Sequence, residues 1–148
     1  MSADCRLTLT VREARDDAEV AAAKELRVRV FCDEQGVSRA EELDEFEDSA
    51  THVVALDETG VVATCRLREV EGGTKLERMA VERRLRGLGA GARLLTEAER
   101  LARERGVERM VLHAQTRAEG FYRGQGYEPE GERFDEAGIE HVRMTKPL

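Results

Sequence analysis

Arg86-Gly87-Leu88-Gly89-Ala90-Gly91 stands between a strand-like stretch, Lys75 to Val81, and a segment of helical periodicity from about Gly89 to Arg105. Glycines at such a junction let the backbone turn tightly and approach a ligand closely. Several N–H groups can then face one concavity, a nest for an anion. The helix that follows adds its own unpaired N–H groups and about half a positive charge. A pyrophosphate suits such a place. One reading is a softened turn that only brings helix and sheet together. Another is a dinucleotide fold, because Gly87 to Ala92 fits G-x-G-x-x-A. That fit is poor. The first glycine follows the strand by several polar residues, no acid ends the next strand at Ala114-Gln115, and the chain lacks room for two mononucleotide halves. A Walker lysine is also missing.

Working outward, Leu7 to Val11 alternates apolar and polar residues and reads as a strand. Asp16 or Asp17 can cap the next helix, whose apolar stripe is Val20, Ala23, Leu26 and Val30. Residues 33–50 form an acidic connector with a short helix near 40–46. Thr51 to Leu56 and Val61 to Val70 make a hairpin about Asp57-Glu58-Thr59-Gly60, and Gly72-Gly73 turns the chain again. Gly106 ends the long helix. A strand within Val107–Gln115, a short helix over Ala118–Arg123 and two strands, Tyr127–Phe134 and Ile139–Thr145, complete the order. This predicts one α/β domain over residues 1–148, a mixed sheet of about six or seven strands flanked by about four helices.

The 148 residues carry a net charge of −7, with 41% hydrophobic and 37% charged residues. Eight acids and one base in residues 32–50 account for the whole deficit, whereas residues 78–105 hold eight arginines and four glutamates. One acidic and one basic patch could take a cation and an anion, or simply be solvated helical faces. Overall acidity argues against nucleic acid as the main partner. Apolar runs fall short of the roughly 18 residues of a membrane span, and Met1 to Arg6 predicts no secretory leader. Cys5, Cys32 and Cys65 make neither a disulfide framework nor a metal knuckle, so a reducing cytoplasm is expected and no metal.

Leu76-x-x-Met79-Ala80-Val81, then Arg86, Gly89 and Gly91 in the pattern [R/Q]-x-x-G-x-[G/A], then Leu94-Leu95, Ala118, Phe121-Tyr122 and Gly126-Tyr127, resembles the GNAT N-acetyltransferase superfamily over nearly the whole chain. Phe31-x-x-Glu34-Gln35-Gly36, Leu43-Asp44-Glu45-Phe46, Leu112-His113-Ala114-Gln115 and Phe134-x-Glu136-Ala137-Gly138-Ile139-x-His141 look like its ElaA-like branch. The resemblance implies the GNAT fold, acetyl-CoA as co-substrate, and transfer to a primary amine by direct attack in a ternary complex. It implies that Arg86, Gly87, Leu88, Gly89, Ala90 and Gly91 cradle the pyrophosphate. Backbone N–H groups of Met79, Ala80 and Val81 would hold the thioester oxygen and pantetheine. Gln115 stands where many relatives carry a pantetheine-binding asparagine.

Tyr122 matches the family's general acid, since a phenol near pKa 10 can protonate a thiolate near 8.5. An ammonium near 10.4 must lose a proton before it attacks. His113, Glu77, Glu34 and His141 are the candidate bases, with His113 preferred because it sits on the fifth strand and titrates near neutrality. Glu34, Glu45 and His141 are candidate acceptor-binding residues, and the acidic segment favours a cationic acceptor. The alternative is a non-catalytic acyl-CoA sensor domain. Dimers are common in the family, and the residues here neither require nor exclude one.

Overall fold

The computed structural model describes residues 8–148. Leu7 of the expected first strand and Cys5 lie outside the described residues. The strand itself is β1, Thr10–Glu13. Asp16 caps α1, Asp17–Arg27, through its carboxylate and the amide of Glu19 at 2.9 Å. The helix does not stop at Arg27. It widens into π-type turns over Val28–Glu34, so the helix runs into the first two residues of the expected acidic connector. After a single turn, α2 at Arg39–Glu42, come β2 (Thr51–Asp57), β3 (Gly60–Val70) and β4 (Gly73–Val81). The long helix α3 is Ala90–Glu104, β5 is Arg109–Gln115 and α4 is Glu119–Gly124.

The next expected strand is broken in two: β6 at Glu128–Pro129 and β7 at Phe134–Glu136. Pro129 offers no amide to a ladder, and Gly131 turns the chain at φ +81°. Both pieces pair with β8, Ile139–Pro147, at different places along it. The break explains eight strands where six or seven are expected. Sheet order is β1-β2-β3-β4-β5-β8-β6, with β7 also on β8. All neighbours are antiparallel except β4 and β5.

The sheet is covered on both faces. Leu94, Leu95 and Ala98 of α3 share the main core with Ala63, Cys65 and Leu67 of β3, Leu112 and Ala114 of β5, and Tyr122. These β3 residues alternate along the strand, as a one-sided core requires. On the other face Leu26 and Val30 pack with Ala80. Gly106, at φ +78°, stops α3, and its amide and that of Val107 return to Arg103 and Ala102. Among the described residues no helix is long and apolar enough to cross a membrane.

Candidate active site

The site begins with a fault in the ladder. Between Thr64 and Arg66 of β3 lie two steps, but between their partners Ala80 and Glu77 lie three. The extra residue in β4 is a bulge, which bends the strand that carries it. Arg78 in the bulge has φ +57°, a conformation that a branched side chain resists. Its guanidinium is tied to the carbonyls of Glu41 and Glu42 and to the Asp44 carboxylate, at 3.2–3.3 Å. These bonds hold the strained residue in place. On its other side β4 pairs with β5 only at Thr74, Lys75 and Leu76. Beyond Leu76 the two strands part and leave a cleft of about 1050 Å³.

Met79, Ala80 and Val81 line one wall of this cleft, on the part of β4 that has lost β5 as a partner. The loop lines the same half through Arg86, Gly87, Gly89, Ala90 and Gly91. Leu88 does not line it and is half exposed at the loop's tip. Gly87 and Gly89 take φ of +80° and +95°, so the loop's curvature depends on them. Gly89 is the N-cap of α3 and offers no capping side chain, which leaves the helix's first N–H groups free for an anion. Gly91 permits close packing, because a Cβ there would sit 3.4 Å from Phe121 Cζ and 3.6 Å from Met79 Sδ.

Arg86 is not loose. Its Nε donates to the Val81 carbonyl at 2.9 Å, and Nη1 lies 2.7 Å from the Glu34 carboxylate. Arg86 in turn holds Glu34 below the usual carboxylate range. Glu34 therefore sits beside the glycine loop and does not line the cleft. Gln115 lines it, with both ends of its amide engaged: Nε2 donates to Gln35 at 2.8 Å and Oε1 accepts from Arg117 at 2.9 Å.

Tyr122 is buried at the base of the cleft, and its hydroxyl lies 3.6 Å from Met79 Sδ. Phe121 and Tyr127 meet it edge to face, at 5.0 and 5.9 Å between ring centroids. Burial pushes the phenol's pKa well up, so it keeps its proton at any physiological pH. Among the described residues, burial pushes the Cys65 thiol up to about 12 and also raises Cys32, so neither is an activated nucleophile.

At the β5 and β8 end, His113 and His141 both line the cleft. His113 Nδ1 lies 3.0 Å from Glu136 Oε1, and His141 Nδ1 lies 2.7 Å from the Ile139 carbonyl. Glu77 lines it too, but its carboxylate is held by Arg66 at 2.9 Å and Arg68 at 2.8 Å, with Lys75 at 3.6 Å. Burial alone would raise its pKa, yet these three cations bring it below the ordinary value. A carboxylate so held is a poor base. His52 lies elsewhere, buried against the Glu47 carbonyl at 2.7 Å.

The acidic segment differs most from expectation. Glu45 is exposed and outside the cleft. Glu42 and Glu47 are bonded to Arg27 at 2.6 and 2.7 Å, and Asp44 and Glu47 to Arg66 at 2.7 and 3.0 Å. Both arginines are fully buried. Much of the apparent anionic patch is the solvation shell of two internal guanidiniums. The signal was there in the sequence: Arg27 interrupts an apolar helical stripe next to Leu26, and Arg66 sits between Cys65 and Leu67 in a core strand.

Among the described residues no group of three His, Cys, Asp or Glu is placed to hold a metal ion. Residues 17–148 match the acetyltransferase (GNAT) domain family. The chain is 36% identical over 134 residues to YjcF, an uncharacterised N-acetyltransferase of Bacillus subtilis, covering 90% of this chain and 96% of that one. The crystal structure of a candidate N-acetyltransferase from Lactobacillus plantarum superposes with a TM-score of 0.88 at 30% identity, over 96% of this chain and 99% of that one. Escherichia coli ElaA shares the fold at a TM-score of 0.81 and 21% identity, over 94% and 98% of the two chains. So does a GNAT family acetyltransferase from Elizabethkingia anophelis solved with acetyl-CoA bound, at 0.74 and 16%, over 95% and 98%. The family match over residues 17–148, the relative in Bacillus subtilis and the superposed Lactobacillus structure place this chain among the N-acetyltransferases of the GNAT family.

Proposed function

We propose that the enzyme transfers the acetyl group of acetyl-CoA to a primary amine by direct attack, with both substrates bound together. The observation that carries this is the cleft itself: one continuous space runs from the uncapped start of α3, past Met79 and Tyr122, to His113. The first N–H groups of α3 and of the loop receive the pyrophosphate, with Arg86 at the rim. Freed backbone N–H groups of Met79 to Val81 donate to the thioester oxygen as it gains charge. His113 takes the proton of the acceptor ammonium. The amine nitrogen then bonds to the acetyl carbon, the carbon–sulfur bond breaks, and Tyr122 gives its proton to the departing sulfur.

The acceptor side narrows the substrate less than the charge distribution implies. Glu42, Asp44 and Glu47 are engaged by Arg27, Arg66 and Arg78, so they no longer argue for a cationic acceptor. Arg68, Lys75 and Arg78 line the same space as Glu77 and Glu136. The acceptor is therefore proposed only as a primary amine. Cytoplasmic residence belongs to the same proposal, supported by the free thiols of Cys32 and Cys65.

The test is thermal unfolding with acetyl-CoA, CoA, NADH and ATP in turn, followed by an amine panel read by release of free thiol from acetyl-CoA. A ligand at 100 times its Kd adds about 2.7 kcal/mol if it binds only the native state. For a domain of this size that is a rise of about 5–15 °C. The expected result is a rise with both CoA forms and little with NADH or ATP. No response to either CoA form, or a larger one to NADH, would overturn the proposal.

A further inference from the structure

Three groups meet where β5, β7 and β8 come together beside the cleft: His113, Glu136 and His141, with the Phe134 ring among them. Phe134 stands edge-on to His113 at 5.0 Å and is stacked with His141 at 6.0 Å, so both imidazole planes are fixed by packing. Glu136 is the last residue of β7 before a two-residue turn, Ala137-Gly138, whose φ angles of +53° and +77° suit a tight hairpin. That turn delivers the Glu136 carboxylate to His113 Nδ1 at 3.0 Å.

We propose that Glu136 is a positioning residue for His113, holding the imidazole in the tautomer that carries its proton on Nδ1 and leaves the Nε2 lone pair toward the acceptor. The proposal rests on His113 being the base in the reaction above. An ionised carboxylate can only accept, so the shared proton belongs to Nδ1. Hydrogen bonding to His113 also keeps Glu136 below the ordinary carboxylate range, consistent with a charged partner. Among the described residues Nε2 of His113 has no hydrogen-bond partner, and the side chain is 23% exposed, on the cleft side. A base must be neutral, correctly tautomeric and open to its proton, and this arrangement supplies the last two conditions.

The neighbours do not undo it. His141 gives its own Nδ1 proton to the Ile139 carbonyl, so its Nε2, 3.8 Å from Glu136, has no proton to offer while the ring is neutral. From β4, Lys75 and Glu77 face the same space, and Lys75 is already beside Glu77. From β8, Arg143 is the register partner of His113, and its guanidinium is taken by Glu130 at 3.1 Å. Glu136 is left as the acidic group in contact with the imidazole.

Glu136→Gln tests this in the full-length protein, with two readouts. The first needs no acceptor: nitrogen chemical shifts of the His113 ring, followed through a pH titration. The wild-type ring should be protonated on Nδ1 when neutral. In Glu136→Gln that preference should relax, because the ionised acceptor that fixes the proton on Nδ1 is gone. The second is thiol release with the best amine from the panel. Transfer should fall about 10- to 100-fold, within what a general base supplies. Acetyl-CoA affinity and melting temperature should stay unchanged. In a His113→Ala background Glu136→Gln should cost nothing further. A wild-type ring protonated on Nε2, or an additive loss in the double variant, would overturn the proposal. If His113→Ala alone left the rate profile unchanged, the reading of His113 as base would fail first. If His113→Ala removed the rising pH limb but Glu136→Gln left tautomer and rate as in the wild type, only the role given to Glu136 would fail.

Discussion

At the scale of single residues, the site depends on groups whose protonation the fold has already decided. Tyr122 is kept neutral by burial and its oxygen sits above the β4 bulge at Met79. Removing that oxygen takes away a proton and almost no packing. Tyr122→Phe should therefore leave acetyl-CoA affinity within about twofold and slow acetyl transfer on the order of 100-fold. Isothermal titration and thiol-release kinetics on one preparation check it. A variant that binds weakly but turns over normally would remove Tyr122 from the chemistry. Arg86 is the counter-example, since Glu34 and the Val81 carbonyl already hold it. In the proposed complex, pyrophosphate at Arg86 would share or displace the Glu34 carboxylate. Glu34→Gln should thus tighten acetyl-CoA binding several-fold at low salt, with the gain shrinking as salt rises. Unchanged affinity would mean that Arg86 stays with Glu34 throughout.

At the scale of elements, glycine and periodicity made most of the fold legible. The α3 boundaries, the two hairpins of β2 to β4 and the limits of β5 follow from patterns of two and of 3.6 residues closed by turn residues. The π-type stretch at Val28–Glu34 was not legible, because a widened helix keeps a helical sequence and only its end moves. Nor was the division of the strand near Pro129, because a β-like residue pattern does not show which amides find a partner. Within the site the loop could be read because glycine is chemically singular. Glu136 could not, because its meaning depends on the turn that pairs β7 with β8 and so brings its carboxylate to His113 of β5. Gly89→Val is the test of the loop at this scale. There is open space around Gly89 but its φ is +95°. The valine must shift the start of α3, at a cost of roughly 1–3 kcal/mol. We expect a folded protein whose thermal response to acetyl-CoA is lost, and a retained response would refute the loop's role.

At the scale of the molecule, the buried charges tie the chain's two ends of interest together. Arg66 links Asp44, Glu47 and Glu77, and Arg27 links Glu42 and Glu47, so the connector is clamped to the sheet beside the cleft. The clamp is not ideal: Arg66 Nε is buried without a partner. Arg66→Met would take one cation each from Asp44, Glu47 and Glu77, leaving them only Arg78, Arg27, and Arg68 with Lys75, and should cost about 3 kcal/mol. The network also sets acid sensitivity. Arg66 brings Asp44 down to about 2 against the desolvation that opposes it, and Glu47 and Glu77 are lowered in the same way. Groups lowered on folding add stability above their unfolded pKa near 4 and lose it as pH falls through the folded value. Glu42 runs the other way, because burial raises it, so its charge opposes folding at neutral pH. Three lowered groups outweigh one raised group. The urea midpoint should be flat from pH 7 to about 5 and fall steeply between about 4 and 2. Asp44→Asn should lower the plateau and soften the fall; an equal slope in wild type and variant would show that the acid response arises elsewhere.

The parting of β4 from β5 also bears on how the protein avoids its own kind. A strand without a neighbour usually lies at the rim of a sheet, where another chain can dock on it and start a fibril. Here the unpartnered length, Glu77 to Val81, lies in the middle of the sheet, with β5 still beside it on the far wall and the start of α3 closing one end. A second polypeptide with side chains on both faces would need the whole fold to open before it could enter. A thin, flexible chain of small amides would not. The same geometry that offers strand-like hydrogen bonding to a ligand is therefore a size filter against aggregation.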